Sequence, residues 1–182
     1  MTLQEYVDSL KGRRIAVLGI GVSNTPLIDL LLKNELPLTV CDMRSEEALG
    51  DTAAQLRARG AELRLGPGYL DDLAGFDYIF RTPGLLPIDP ALVAAKERGA
   101  VVTSEMEVFF QLCPCRTIGI TGSDGKTTTS SIIAELLKAA GLRVHLGGNI
   151  GKPLLTEIPD FRPEDIAVLE LSSFQIGRAS CR

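Results

Sequence analysis

Short apolar runs recur along the chain, separated by longer stretches in which apolar residues return every three or four positions. The short runs predict β-strands and the longer stretches predict amphipathic helices. Eight strands are predicted, over residues 14–18, 36–41, 61–65, 77–80, 100–103, 116–121, 143–146 and 166–171. Five helices are predicted, over residues 25–34, 46–59, 90–98, 105–112 and 126–140. Alternating strands and helices indicate an α/β fold with a mostly parallel sheet covered by helices.

Two glycine turns suggest that the chain holds two domains. One lies at Gly19 and the other at Gly122, and each follows a predicted strand and precedes a predicted helix. An open parallel sheet normally has one main ligand crevice, so two such turns favour two sheets. We place the boundary near residue 100, which gives a first domain over 1–100 and a second that begins at 101.

Composition and charge exclude several classes of protein. The 182 residues are 45% hydrophobic and 23% charged, which is typical of a folded globular chain. The net charge of -4 argues against a nucleic-acid partner, because binding to phosphates usually needs a basic face. No apolar run approaches the ~20 residues of a membrane span, and the first residues do not resemble a secretion signal. We therefore expect a cytoplasmic protein without a membrane partner.

The four cysteines and the single histidine carry no chemical motif. Cys41, Cys113, Cys115 and Cys181 fit neither a zinc site nor a disulfide framework, so we expect free thiols. His145 lies between two apolar residues of a predicted strand. We expect it to be an ordinary packed or surface residue of that strand unless a partner is found.

The Gly122 turn carries the strongest chemical signal. A strand ends, glycines allow the backbone amides to turn inward, and a helix begins at a lysine, which is how proteins cradle polyphosphates. Lys126 would reach the β- and γ-phosphates, and the Thr127 hydroxyl would bind magnesium. The strict P-loop pattern requires a glycine where Ile120 stands, so a purely structural turn with a surface lysine remains an alternative. The predicted phosphate-binding residues are Gly122, Ser123, Asp124, Gly125, Lys126, Thr127 and Thr128.

The Gly19 turn resembles a dinucleotide fingerprint in part. Gly19 and Gly21 follow a strand, and Asp42 ends the next strand about twenty residues later, where an acid can bind a ribose hydroxyl. Asn24 occupies the third glycine position, and a side chain there should hinder close packing of the helix on the strand. A dinucleotide-dependent oxidoreductase domain and a structural turn are both open alternatives.

Three segments of the chain resemble the Mur ligase family. Ser123-Asp124 replaces the usual Thr-Asn of the family's phosphate loop. Weaker similarity is found at 81–84 and 104–109, so the resemblance extends over nearly the whole chain up to Gln175. The three segments are Gly119-Ile-Thr-Gly-Ser-Asp-Gly-Lys-Thr-Thr128, Gly147-Gly-Asn-Ile-Gly151 and Leu169-Glu-Leu-Ser-Ser-Phe-Gln175.

This resemblance implies an ATP-dependent amide ligase of peptidoglycan synthesis, which makes it relevant to cell shape and division. The substrates implied are UDP-N-acetylmuramoyl-L-alanine, whose carboxylate becomes an acyl phosphate, and D-glutamate. ATP and Mg²⁺ are implied, with Lys126 and Glu170 catalytic and with Thr127 and Glu170 holding the metal. Asn149 either stabilises its glycine-rich turn or contacts phosphate.

The resemblance also assigns roles to the two domains. Residues 1–100 would form a Rossmann-like domain that binds the UDP end of the substrate, and residues 101–175 would form the first part of the ATP-binding central domain. The implied substrate-binding residues are Val22, Ser23, Asp42, Met43, Arg44 and Gly84. The full-length family member would be a monomer.

Family members continue beyond this point, with further magnesium ligands and a third domain for the incoming amino acid. We therefore expect the chain as given to be inactive in ligation. Residues 176–182 depart from the family pattern and are predicted to be a non-native tail, the alternative being a divergent natural one. Other open functions are a P-loop ATPase or kinase and a nucleotide-binding module without ligase activity.

Overall fold

The computed structural model describes residues 1–148, 152–172 and 175, and it has a mixed α/β fold built on parallel sheets. The predicted fold class is confirmed. The chain forms two compact units, one over Gln4–Glu105 and the other from Met106 onward together with Met1–Leu3.

The first unit contains a five-stranded parallel sheet with the strand order β3-β2-β1-β4-β5. Chain order reverses at β1, which pairs with β2 on one side and β4 on the other, so a ligand crevice is expected at the carboxyl ends of these strands. The strands are β1 (Ile15–Leu18), β2 (Leu38–Asp42), β3 (Glu62–Leu65), β4 (Tyr78–Arg81) and β5 (Val101–Thr103). The helices are α1 (Leu3–Ser9), α2 (Thr25–Lys33), α3 (Glu46–Leu49), α4 (Asp51–Ala58) and α5 (Pro90–Glu97), with a 3-10 turn at Leu73–Gly75.

The central strands of this sheet are buried, which explains their continuous apolar sequence. All residues of β1 and β2 are buried, as expected for parallel strands covered on both faces. The helix α2 buries Leu27, Ile28 and Leu31, which are spaced so that they share one helical face. Burial on this scale is the main favourable term in the stability of the unit.

Two local features differ from the sequence prediction. The helix predicted over 46–59 is interrupted at Gly50, whose φ of 51° separates α3 from α4. The helix α1 was not predicted, although its sequence carries a recognisable signal. Leu3, Tyr6, Val7 and Leu10 are all buried, at the spacing of one helical face.

The second unit contains a three-stranded parallel sheet with the order β6-β8-β7. Three residues at the centre of β8 are fully buried, and Ala134 of α7 packs in the same core as Val168. The elements are α6 (Glu105–Leu112), β6 (Arg116–Ile120), α7 (Lys126–Ala139), β7 (Val144–Gly148) and β8 (Ile166–Glu170), with a 3-10 turn at Leu155–Asp160. The order places Glu170 at the carboxyl end of the middle strand.

Gly148 lets β7 approach the backbone of Glu170 closely. Its φ is 106°, and a Cβ added there would lie 2.4 Å from the Glu170 carbonyl oxygen and 3.0 Å from its nitrogen. We expect Gly148→Ala to lower the free energy of unfolding by about 3 kcal/mol, because backbone strain and overpacking act together. Denaturant unfolding measures the loss.

Gly141→Ala is the matched control for this substitution. Gly141 also has a positive φ, of 84°, but a Cβ there would meet nothing within 4 Å. Only the backbone term remains, so we expect a loss of about 1 kcal/mol. Equal losses in the two variants would show that contact with Glu170 is not what Gly148 avoids.

Candidate functional site

The Gly122 loop joins the end of β6 to the first residue of α7. Residues 121–125 are exposed, and Gly125 has a φ of 73°, a conformation that favours glycine, immediately before the helix begins at Lys126. The first amides of an α-helix have no partner within the helix and lie at the positive end of its dipole. The loop therefore offers an exposed surface of backbone donors suited to an anion.

Lys126 closes the loop on itself. Its Nζ donates hydrogen bonds to the carbonyl oxygens of Gly122, at 2.8 Å, and Ser123, at 3.2 Å. The positive charge is thus held directly above the loop backbone by neutral acceptors. A phosphate group is a stronger partner for an ammonium group than a carbonyl, because its charge strengthens the hydrogen bond.

Thr127 and Glu170 are in direct contact although they are far apart in sequence. The Thr127 hydroxyl donates to Glu170 Oε2 at 2.8 Å. Glu170 is only 3% exposed, and the loop and the end of β8 lie side by side because β6 and β8 are neighbours in the sheet. A hydroxyl and a carboxylate oxygen are ligands that Mg²⁺ prefers. This donor set, next to a helix N-terminus, fits a magnesium-bound polyphosphate.

The remaining predicted phosphate-binding residues have different placements. Gly122, Ser123, Asp124 and Gly125 lie in the exposed loop, and Thr128 lies exposed in the first turn of α7. Asn149 lies outside the described residues, as does the tail predicted at 176–182. Their roles stay predictions.

A pocket of about 270 Å³ lies at the crevice of the first sheet. Asp42, Met43 and Arg44 line it together with the Gly19 turn, as the sequence suggested. Tyr69, Thr82 and Leu85 also line it and were not predicted. The other predicted substrate residues, Val22, Ser23 and Gly84, are not among its lining residues.

Asp42 and Arg44 form a tightly bonded pair beside the turn. Asp42 Oδ2 accepts from Ile20 N at 2.7 Å and from Arg44 Nη2 at 2.9 Å. Asp42 Oδ1 accepts from the backbone and Nε of Arg44, both at 2.9 Å. Arg44 Nη2 also donates to the Ile20 carbonyl at 2.6 Å. Both oxygens of the carboxylate are engaged within the chain, which disfavours the role of ribose acceptor that a dinucleotide site requires.

These hydrogen bonds control the charge of Asp42. Burial raises the pKa of the carboxyl group, but the bonds from Arg44 and from the backbone amides of Ile20 and Arg44 lower it more, to about 2. An aspartate whose pKa is lower in the folded state than in the unfolded state stabilises the fold above its unfolded pKa.

We expect this stabilisation to disappear between about pH 4 and pH 2, where Asp42 is protonated in the unfolded chain first and in the folded chain last. Above that range the shift is worth about 2 kcal/mol. The measurement compares the unfolding free energies of the wild-type chain and Asp42→Asn at pH 6 and pH 2. A difference that does not change with pH would contradict the expectation.

Asn24 fastens the Gly19 turn instead of disturbing it, which corrects the expectation from sequence. The side chain is 1% exposed, and its Nδ2 donates to the carbonyl oxygens of Leu18, at 2.9 Å, and Gly19, at 3.1 Å. The amide therefore bonds the end of β1 to the start of α2. Nothing in the spacing of the glycines indicates such a role.

His145 has a partner that the sequence did not predict. Its Nε2 lies 2.8 Å from Asp165 Oδ2, and its ring stacks on Phe161 with 3.7 Å between the centroids. The hydrogen bond to His145 and the amide of Arg162 lower the pKa of the buried Asp165 against the opposing effect of burial. Asp165 precedes β8 and Glu170 ends it, so this cluster lies at the end of the sheet remote from the Gly122 loop.

A larger pocket of about 750 Å³ in the first unit contains none of the predicted site residues. It is lined by residues at the starts of β1, β2 and β3, including Ile15, Leu38 and Glu62. Ligands of parallel α/β sheets bind at the carboxyl ends of the strands. The smaller pocket is therefore the better candidate for a substrate site despite its size.

No helix within the described ranges is both long and apolar enough to cross a membrane.

Family models match both units of the chain. The model described as Mur ligase MurD-like, N-terminal domain, matches residues 13–104, which is half of the chain, and the model for the Mur ligase middle domain matches residues 120–182. The chain belongs to the Mur ligase family. The Mur ligase middle-domain match contains both the Gly122 loop and Glu170.

Curated Mur ligase relatives are similar over nearly the whole chain. The UDP-N-acetylmuramoylalanine--D-glutamate ligase of Clostridium novyi is 49% identical over 96% of this chain and 38% of its own length. The enzyme of the same name from Acetivibrio thermocellus is 49% identical over 96% of this chain and 37% of its own length. The chain thus spans somewhat over a third of the length of these relatives.

The solved structure of a Neisseria meningitides Mur ligase was also compared with the chain. It is UDP-N-acetylmuramate:L-alanyl-gamma-D-glutamyl-meso-diaminopimelate ligase, with 20% identity and a TM-score of 0.49, covering 87% of this chain and 52% of that one.

Proposed function

We propose that the chain supplies the UDP-sugar-binding and ATP-binding parts of a D-glutamate ligase. The complete enzyme would join D-glutamate to UDP-N-acetylmuramoyl-L-alanine at the expense of ATP, in the cytoplasmic stage of peptidoglycan synthesis. It would thereby serve cell-wall growth and division. The chain alone would bind nucleotides without completing the ligation, since it spans only 38% of the length of the Clostridium novyi ligase.

The observation that carries the proposal is the contact between Thr127 and Glu170. It joins a P-loop hydroxyl to a buried carboxylate across two neighbouring strands, at 2.8 Å. A magnesium ion bound there would supply positive charge to the phosphates of ATP. A purely structural P-loop-like turn gives no reason to bury an acidic residue beside it, because burying a carboxylate costs free energy unless it is paired.

The chemistry assigns a separate task to each residue of the loop. A carboxylate is a poor electrophile, and the substrate carboxylate becomes reactive when the γ-phosphoryl group of ATP is transferred to it. Lys126 would leave the loop carbonyls and bind the terminal phosphates, and the α7 amides would hold the oxygens of the transferred group. The amine of D-glutamate would then attack the acyl phosphate, forming the amide and releasing phosphate.

The pocket in the first unit would hold the UDP end of the substrate. Arg44 lines this pocket and is 46% exposed at its side chain, so the guanidinium can reach a ligand without releasing Asp42. The Asp42 bonds restrict its position, which reduces the entropy lost when a ligand binds. In this proposal Met43 and the Gly19 turn contact the uridine, while Val22, Ser23 and Gly84 lie nearer the edge of the site.

Calorimetric titration of the chain tests the assignment. We expect UDP-N-acetylmuramoyl-L-alanine and MgATP to bind, NAD not to bind, and phosphate release not to increase when D-glutamate is added. Binding of NAD without any response to the UDP-sugar would replace the proposal with the oxidoreductase alternative. MgATP binding without UDP-sugar binding would favour an ATPase or kinase.

A further inference from the structure

Two cysteines lie side by side immediately before the strand that leads into the Gly122 loop. Cys113 Sγ and Cys115 Sγ are 3.5 Å apart. Both are free thiols and both side chains are partly exposed. Within the described ranges no group of three or more metal-ligating side chains occurs, so the pair is not part of a larger metal cluster there.

We propose that Cys113 and Cys115 are a redox modification site that interconverts between a dithiol and an intramolecular disulfide. An S–S bond measures about 2.05 Å, so the two sulfurs need to approach by about 1.5 Å, which small side-chain rotations can provide. Pro114 fixes its own φ and restricts Cys113 to extended conformations. Little further backbone freedom is then lost when the ring closes.

The surroundings of the two sulfurs set the order of the reaction. Burial and the adjacent Cys113 thiol raise the pKa of Cys115 to about 12, despite a hydrogen bond from the backbone amide of Ala167. Thiolates are the attacking species in disulfide exchange, so Cys113 reacts first and Cys115 resolves the product.

The oxidant is a low-molecular-weight disulfide. Cys113 loses its proton and attacks one sulfur, which breaks the S–S bond of the oxidant and releases one thiolate. Cys115 then loses its proton and attacks the Cys113 sulfur, which releases the second thiolate. The two released thiolates take up the two protons, so two protein thiols are oxidised while one small disulfide is reduced to two thiols.

The short ring favours a reversible bond. A disulfide stabilises a fold mainly by restricting the unfolded chain, and this restriction is small when only one residue separates the cysteines. Partial exposure leaves the bond accessible to reducing thiols. Disulfides that form in reducing compartments are mostly transient or redox-sensing, which matches a pair of this kind.

Equilibration with mixtures of reduced and oxidised glutathione tests the proposal. After free thiols are alkylated, trypsin releases residues 99–116 as one peptide that contains Cys113 and Cys115 and no other cysteine. We expect this peptide to lose two hydrogen atoms in oxidising mixtures and to recover two alkylated thiols in reducing ones. Two alkylated thiols at every ratio, or glutathione adducts alone, would overturn the proposal.

Comparison with the denatured chain separates geometry from local sequence. At the same glutathione ratio we expect the disulfide-to-dithiol ratio of this peptide to be about tenfold lower in guanidinium chloride, because unfolding disperses the sulfurs. An equal ratio would overturn the claim that the fold pairs them.

Single substitutions test the order of reaction. Cys115→Ser should trap a glutathione adduct on Cys113, whereas Cys113→Ser should leave Cys115 mostly unmodified. Cys41→Ala, in the other unit, should not change the result. Faster modification of Cys115 than of Cys113 would overturn the assigned order.

Discussion

Replacing Lys126 with alanine is expected to reduce the affinity of the chain for MgATP about 100-fold, which corresponds to about 2.7 kcal/mol. The substitution removes the only cation at the centre of the predicted phosphate site and leaves the helix and sheet intact. Lys126 is hydrogen-bonded to two loop carbonyls and to no buried group, so its loss should change the unfolding free energy little. Calorimetry with MgATP and denaturant unfolding measure the two effects.

Lys138→Ala provides a control on the same helix. Lys138 lies in the last turn of α7 and pairs with Glu135 at the surface, at 2.8 Å. The variant loses the same charge but lies at the opposite end of the helix, so MgATP affinity should remain within about twofold of the wild type, as expected for a distant exposed charge. Similar losses in both variants would show that net charge, and not the loop, controls binding.

Substituting Glu170 by glutamine is expected to weaken magnesium binding in the presence of ATP at least about tenfold. Glutamine keeps the size of the side chain and can still accept the Thr127 hydroxyl, but it removes the negative charge that attracts the metal. ATP affinity at saturating Mg²⁺ should fall, while ATP affinity without Mg²⁺ should stay constant or rise. Titrations with and without Mg²⁺ separate these effects.

Two substitutions of Thr127 give a matched test of the hydroxyl. Thr127→Ser keeps a group that can donate to Glu170 and bind metal, whereas Thr127→Val keeps the shape and removes the hydroxyl. We expect the serine variant to resemble the wild type and the valine variant to lose magnesium dependence as Glu170→Gln does. Unchanged magnesium dependence in both Thr127→Val and Glu170→Gln would leave their contact a structural one only.

The main elements of the fold could be predicted because their signals are local. All eight predicted strands are present within two residues of their predicted starts, since continuous apolar runs are what buried parallel strands require. The placement of Glu170 at the carboxyl end of a strand was predicted for the same reason. Its contact with Thr127 depended on the resemblance to Mur ligases, because the spacing of residues does not reveal which strands are neighbours.

Features that depend on tertiary contacts were missed. Asn24 bonds carbonyls at the end of β1, and His145 meets an aspartate from a different segment, so neither role is encoded in the neighbouring sequence. The division of one predicted helix at Gly50 follows from a positive φ that periodicity alone cannot indicate. In each case a single polar or glycine residue is decisive, and hydrophobic patterns carry no information about it.

The strand order of the second sheet sets a sequence of events for a growing chain. In the sheet β6 and β7 both pair with β8 and not with each other, although both precede it in sequence. When the Gly122 loop has been synthesised, neither flanking strand yet has a partner, and the sheet can close only after residue 170 has left the ribosome. The strand that carries the acidic residue of the nucleotide site is thus also the one that completes the folding nucleus, so pairing of the sheet and assembly of the site occur in one step.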